Sequence, residues 1–299
     1  MKNPVIKIAL ISFVAVLFIA ACKSPTSDTP AAQAAVTPVT GSLPAAPAAV
    51  AVNDNSVNGV YKGVITDTVT SGSFWISIAD DTANPSVISR AITGLTAKKA
   101  ALNVLLITTA GVDQRTVAGT ATAQPDGRFK VSFTWTTNSV NYVMTYTISS
   151  SGVVSLSTPP AITAGGTPIG VNLAKETTVV TVESWVGTIS GSSSGTKVVN
   201  NTPVVWTADT NGNWNFIRTG NTLSGSWSAN TVNSFRDFQP DIQTSGSISG
   251  TVNGNTITFG GGVPDKTCTG TFSGSSVGGS WSWKASDKGS GSWSGSKKL

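Results

Sequence analysis

Few residues in this 299-residue chain could do chemistry, and one type is missing altogether: there is no histidine. That removes the commonest general base, the Ser-His-Asp and Cys-His arrangements, and the commonest metal ligand. Gly191-Ser192-Ser193-Ser194-Gly195 and Gly274-Ser275-Ser276-Val277-Gly278 match G-x-S-x-G, while Ser194-Gly195-Thr196-Lys197 and Ser294-Gly295-Ser296-Lys297 match S-x-x-K. The first pattern works at a strand–turn–helix elbow beside a histidine, the second at a helix start that puts Ser and Lys on one face. Gly-rich surroundings offer neither setting, so both read as chance matches in a Ser-rich chain. A pair of carboxylates for glycoside hydrolysis is limited by supply, since Glu176 and Glu183 are the only glutamates. Asp80-Asp81 are adjacent, would face opposite ways on a strand, and are expected to cap a turn. Asp209-Thr210-Asn211-Gly212-Asn213 opens like a calcium loop, but Gly212 stands fourth and Gly220 twelfth, where an EF-hand wants Gly sixth and an acid twelfth. No catalytic residue, metal site or cofactor is expected, and the chain reads as a non-enzyme.

Tryptophan carries the remaining functional potential. Seven of nine Trp lie in the C-terminal half, and Gly-Ser-Trp-Ser occurs at 225–228, 279–282 and 291–294. Exposed Trp can stack on sugar rings or line a small-ligand pocket, which makes Trp281, Trp283 and Trp293 the candidate ligand-binding residues. The favoured reading puts most of them inside: between small neighbours, Trp is the one side chain large enough to fill a core. Trp281 and Trp283 share a strand face, and a turn at Ser286-Asp287-Lys288-Gly289 would return Trp293 beside them.

The elements around these residues read as strands. Phe129, Val131, Phe133 and Trp135 alternate with Arg128, Lys130, Ser132 and Thr134, which puts one face on a core and one in water. Tyr142, Met144, Tyr146 and Ile148 repeat the pattern, and Tyr61–Ile65 and Ser73–Ile78 are further strands. Residues 96–107 are ambiguous, with Ala97–Ala101 favouring helix and Val104–Ile107 a buried strand. Asn211-Gly212 and Asn253-Gly254 predict type I′ hairpins, the second pairing Ile248 with Phe259 and Gly250 with Ile257. Val60-Tyr61-Lys62-Gly63-Val64-Ile65 and Ser184-Trp185-Val186-Gly187-Thr188-Ile189 share an aromatic two residues before Gly, as distant copies would. Pro159-Pro160 and Gly165-Gly166-Thr167-Pro168 mark a domain boundary.

Charged residues make up only 11% of the chain, against roughly 25% in ordinary soluble domains. Ser, Thr, Gly and Asn supply the polar surface instead. The charges are scattered, no basic stripe follows a phosphate backbone, and nucleic acid is excluded as a partner. Lys297 and Lys298 read as a solubilising tail.

At the N-terminus, Lys2 and Lys7 precede an apolar run from Ile8 to Ile19 that ends Ile19-Ala20-Ala21-Cys22. The run is short for a membrane span and has the layout of a secretory signal. Its ending resembles the lipobox of bacterial lipoproteins. The resemblance implies cleavage between Ala21 and Cys22, lipidation of Cys22, and attachment to the cell envelope through the lipid; because Lys23 follows the cysteine, the outer membrane is implied for a Gram-negative host. Losing Lys2 and Lys7 lowers the formal charge from +5 to +3. With Cys22 lipidated, Cys268 has no partner for a disulfide and reads as a small buried hydrophobe.

The chain thus divides into a signal peptide (1–21), a Pro-, Ala- and Thr-rich disordered tether beginning at the lipidated cysteine (22–55), a first β domain (56–158), a linker (159–172) and a second, Trp-, Gly- and Ser-rich β domain (173–299). The expected fold is all-β, as two antiparallel sandwiches or small meander barrels. The expected role is a membrane-anchored envelope lipoprotein of binding or surface-structural type. Its partners are the membrane, through the anchor, and an envelope protein or glycan. Sugar or small-ligand binding through Trp, and an Asp-based enzyme, are the alternatives.

Overall fold

The computed structural model describes residues 42–67, 70–80, 97–108, 111–154, 161–233, 242–260, 266–284 and 288–299. Ala21, Cys22, Asp81 and the turn residues Ser286 and Asp287 lie outside them. The alternating segments form sixteen antiparallel strands in two closed eight-stranded barrels, each a meander in chain order. The first comprises β1 (Gly59–Thr66), β2 (Thr70–Ala79), β3 (Ala97–Thr108), β4 (Gly111–Ala123), β5 (Phe129–Thr137), β6 (Val140–Ile148), β7 (Ala161–Ala164) and β8 (Thr167–Glu176). The second comprises β9 (Val182–Val199), β10 (Thr202–Thr219), β11 (Thr222–Asn233), β12 (Ile242–Asn253), β13 (Thr256–Gly260), β14 (Lys266–Ser273), β15 (Ser276–Lys284) and β16 (Lys288–Lys297). Closure comes from β8 pairing with β1, and from β16 pairing with β9. Closing each sheet removes its long open edge.

Each barrel has its own apolar interior. Tyr61, Phe74, Leu102, Phe133, Met144 and Ile162 belong to the first, and Trp185, Trp214, Phe216, Ile248, Phe259 and Trp293 to the second. The ambiguous stretch at 96–107 is β3, with Ala100, Leu102, Val104 and Leu106 in the first core. Pairing on both sides overrides the helix preference of Ala97–Ala101.

Three expectations are corrected. The linker over 159–172 contains β7 and most of β8, which complete the first barrel. Ile162, Ile169 and Leu173 point into its core, and Gly165-Gly166, with φ of 56° and 90°, is a hairpin turn. Pro168 is accommodated because β1 pairs with β8 only from Gly170 onward, leaving Pro168 at an edge. The link between the barrels is Thr177–Thr181 instead. Asn211-Gly212 is not a turn but the middle of the eighteen-residue β10. A Cβ on Gly212 would lie 2.2 Å from the Ser228 carbonyl oxygen, so this glycine serves strand packing. The turn before β10 is Asn200-Asn201, with φ of 48° and 60°, the type I′ pattern. The hairpin between β12 and β13 forms, but its loop lies one residue along and its pairing is shifted by two: Gly254-Asn255, not Asn253-Gly254, is the loop, and Gly250 faces Phe259 instead of Ile257. A slip of two preserves every side chain's face, so Ile248, Val252, Ile257 and Phe259 all still reach the core.

The tether is also shorter than expected, because residues 42–55 lie on the first barrel. Lys175 follows Leu173 in the inward row of β8, and its ammonium donates to the carbonyls of Asn53, Asp54 and Ser56 around the 3-10 turn Ala51–Asn53. Burial lowers its pKa. The Asp54 carboxylate accepts from the Thr178 amide at 3.0 Å and from its hydroxyl. Val57 enters the core, and its carbonyl accepts from the Tyr61 hydroxyl at 2.9 Å.

The barrels are joined by a small apolar cluster of Val64, Val182 and Ile217 and by a buried polar seam. Ser73 and Ser184 share a hydroxyl–hydroxyl bond of 2.6 Å. Asn215, fully buried on β10, donates to the carbonyls of Ile65 and Gly72 and accepts from the Ser71 hydroxyl at 3.1 Å. Asn215→Leu strips the amide from these buried partners, a loss of about 1–3 kcal/mol. The expected result is a lower unfolding temperature with the two barrels melting separately; one unchanged cooperative transition would show that Asn215 does not join them.

Candidate functional site

The second barrel puts its Trp rings inside. Trp281 and Trp293 are 5% and 3% exposed, and their indole N–H groups donate to the carbonyls of Ser190 at 3.0 Å and Ser280 at 3.2 Å. Trp214 meets Trp293 edge-on at 5.2 Å and stacks on Phe216 at 4.9 Å. Glycines on neighbouring strands make the room. A Cβ would come within 2.4 Å of the Trp281 ring at Gly191, 2.3 Å of Trp293 at Gly270 and 2.2 Å of Trp214 at Gly187. The inward positions alternate between ring and void, and the serines of Gly-Ser-Trp-Ser take the outer face. Trp281 and Trp293 are therefore core residues, as the inward reading of the sequence expects, and the alternative that made them ligand-binding residues does not hold for these two. Trp283 stands on β15 opposite Lys266 and Gly289; its side chain lies outside the described residues.

Among the described residues, both glutamates and several aspartates are engaged internally, while Asp209 is exposed on β10. Glu176 pairs with Lys62, and Glu183 with Lys297 at 2.6 Å and Arg218 at 3.6 Å. Asp80 accepts from Asn58 at 2.9 Å and pairs with Lys98. Burial pushes the Asp113 carboxyl up, but hydrogen bonds from Arg115 and Thr137 outweigh it and hold the group below the usual carboxylate range. Both S-x-x-K matches fall on strands, where residues three apart face opposite sides, and the calcium-like segment lies in β10. No cluster of three metal-ligating side chains occurs among the described residues. An open depression at the turn between β4 and β5 is lined by Gln124, Asp126, Arg128 and Lys130, with Asp126 and Arg128 paired to each other at 2.7 Å. Cys268 is buried opposite Phe259 and Trp281, as a small hydrophobe.

The feature that sequence reasoning missed is the far end of the β9–β10 hairpin. Among the described residues, β16 accompanies β9 only to Ser194 and β11 accompanies β10 only to Ala208. Beyond these points the two strands continue as a pair for about 20 Å to the Asn200-Asn201 turn. On one face of this arm Val198 and Val205 are 66% and 63% exposed, beside exposed Pro203. The other face carries the half-buried Val199, Val204 and Trp206. Between Ser184 and Ala208 there is no acidic residue and one basic one, Lys197. Pro203 cannot donate from its edge and Lys197 is a residue that edge strands use against sheet extension, so the arm presents a face rather than an edge. The misplaced turn at Asn211-Gly212 concealed the arm; Asn200-Asn201 was the signal that could have revealed it.

Comparison with family models, curated proteins and solved structures finds no match for this chain. Among the described residues no helix is long and apolar enough to cross a membrane.

Proposed function

We propose that this protein is a lipid-anchored module of the bacterial cell envelope that acts by contact rather than by catalysis, with the β9–β10 arm as its contact surface. The observation that carries the reading is the arm: Val198, Pro203 and Val205 expose apolar surface on one face of one hairpin. Val198, Pro203 and Val205 make a mainly aliphatic face, flanked by Thr196 and Thr207, and such a face suits the apolar surface of an envelope protein better than a glycan, whose hydroxyls need many hydrogen-bonding partners. The closed barrels, each with its own apolar core, supply the mount for it. The lipobox-like Ile19–Cys22 supplies the anchor, since several acyl chains together hold stably where one alone is marginal.

A photo-crosslinking residue at Val198 of the lipidated chain should give one discrete protein adduct in intact cells, lost when Val205→Asp is added. The same probe at Ser132, on the outer face of β5, should give none. Equal adducts at both positions, or none at Val198, would overturn the contact role. Separately, Cys22→Ser should move the protein out of the membrane fraction; fractionation like wild type would overturn the anchor.

A further inference from the structure

We propose that the outer face of β2 around Trp75 is a recognition site for a polyproline II segment, and that residues 43–50 of the same chain are its resident ligand. Trp75 points away from the first barrel's interior, yet it is 8% exposed. Its indole N–H donates to the Pro44 carbonyl at 2.9 Å. The segment that crosses it has no regular secondary structure, and its burial repeats every third residue: Leu43, Ala46 and Ala49 are half-buried, while the pairs between them are exposed. Three residues per turn is the period of polyproline II, a helix without internal hydrogen bonds that leaves its carbonyls available to outside donors. Pro44-Ala45-Ala46-Pro47 has the P-x-x-P spacing that favours this conformation, and an aromatic surface with an indole donor is a way in which such segments are bound. Alanine at the two inward positions after Leu43 lets the backbone lie close to the sheet.

The platform is built, not incidental. Asn103, beside Trp75 on β3, is buried and accepts from the Thr116 hydroxyl at 2.6 Å. Lys62, on the other side on β1, is held by Glu176. Trp75 therefore sits between two immobilised polar groups. Prolines reduce the freedom that the segment loses on docking. The ligand class is a Pro- and Ala-rich segment with a large aliphatic residue at the first inward position and small ones three and six residues later. Where Cys22 is the lipid attachment point, as the preceding reading has it, docking at Leu43 limits the distance between anchor and barrel to the reach of 21 residues, at most about 70 Å.

The test opens the site and offers the ligand in trans. The full chain carrying Leu43→Asp, Ala46→Asp and Ala49→Asp displaces its own segment. A fluorescently labelled peptide with the sequence of residues 43–50 should bind this variant, followed by anisotropy. It should bind at least about tenfold more weakly when Trp75→Leu is added, or when both peptide prolines are Gly; about tenfold corresponds to losing one good hydrogen bond and its packing. No binding to the opened variant, or binding indifferent to Trp75, would overturn the proposal. A second measurement needs no triple variant: elastase should cut after Ala45, Ala48 or Ala49 about tenfold faster in Trp75→Leu than in wild type, because cleavage follows the undocked population. Equal rates would overturn it too. Neither measurement depends on lipidation, so failure of the anchor and failure of the groove are told apart.

Discussion

Trp293→Ala is expected to destabilise the second barrel by about 3–5 kcal/mol, the usual loss for a buried aromatic truncated to alanine. The ring is 3% exposed, packs on Trp214 at 5.2 Å and Phe259 at 5.3 Å, and donates to the Ser280 carbonyl. Its removal leaves a cavity between β14, β15 and β16 and an acceptor without its donor. Collapse around the void is resisted, because the facing inward position is Gly270, which has no side chain to move into the space. Thermal unfolding of the purified variant reads the effect, and a change within a degree of wild type would return Trp293 to the surface and to ligand binding.

Gly187→Ala is also expected to be clearly destabilising although it adds only one methyl group. The new Cβ would lie 2.2 Å from the Trp214 ring and 2.3 Å from the Ser294 carbonyl oxygen. The first clash could be relieved by moving a ring, but the second is with backbone and requires a strand to shift. Overpacking of this kind costs about 1–3 kcal/mol and occasionally more. The first barrel repeats the arrangement: Gly63 is opposite Phe74, and its Cβ would lie 2.4 Å from that ring and 2.6 Å from the Asn172 carbonyl oxygen. Tyr61 and Trp185, two residues before each glycine, are both core side chains on the first strand of their barrel. The two short phrases that hinted at distant copies thus occupy equivalent places. Gly63→Ala and Gly187→Ala should lower the unfolding temperature comparably in denaturation scans; a neutral Gly63→Ala would break the equivalence.

The period of two was legible in the residues themselves. Alternation at 128–135 and 142–148 specified strands and their buried face, because successive side chains on an extended backbone must point to opposite sides. The Gly-Ser-Trp-Ser phrases carried the same information, with Ser outward and Trp inward. The absence of histidine and the scarcity of carboxylates bounded the chemistry without any structure. Local pattern says which way a side chain points, but not which strand stands beside it. That is why Asn211-Gly212 read as a turn and Gly165-Gly166 as a domain break: the same dipeptides serve a turn or a close strand crossing, and only the neighbours decide. Gly212 is explained by the backbone of Ser228, and Gly187 by Trp214 on the next strand and Ser294 more than a hundred residues away. The docked segment at 43–50 has the same origin. Proline and alanine made it unable to form a core of its own, which read as a mobile tether, but Trp75 on a distant strand provides the surface on which it lies. Closure of the barrels, the extension of the β9–β10 pair beyond its described neighbours and the seam at Asn215 all depend on which strands pair and where that pairing stops. These are non-local quantities, set by the complementarity of ring and void across strands, and they exist only once the sheet has closed.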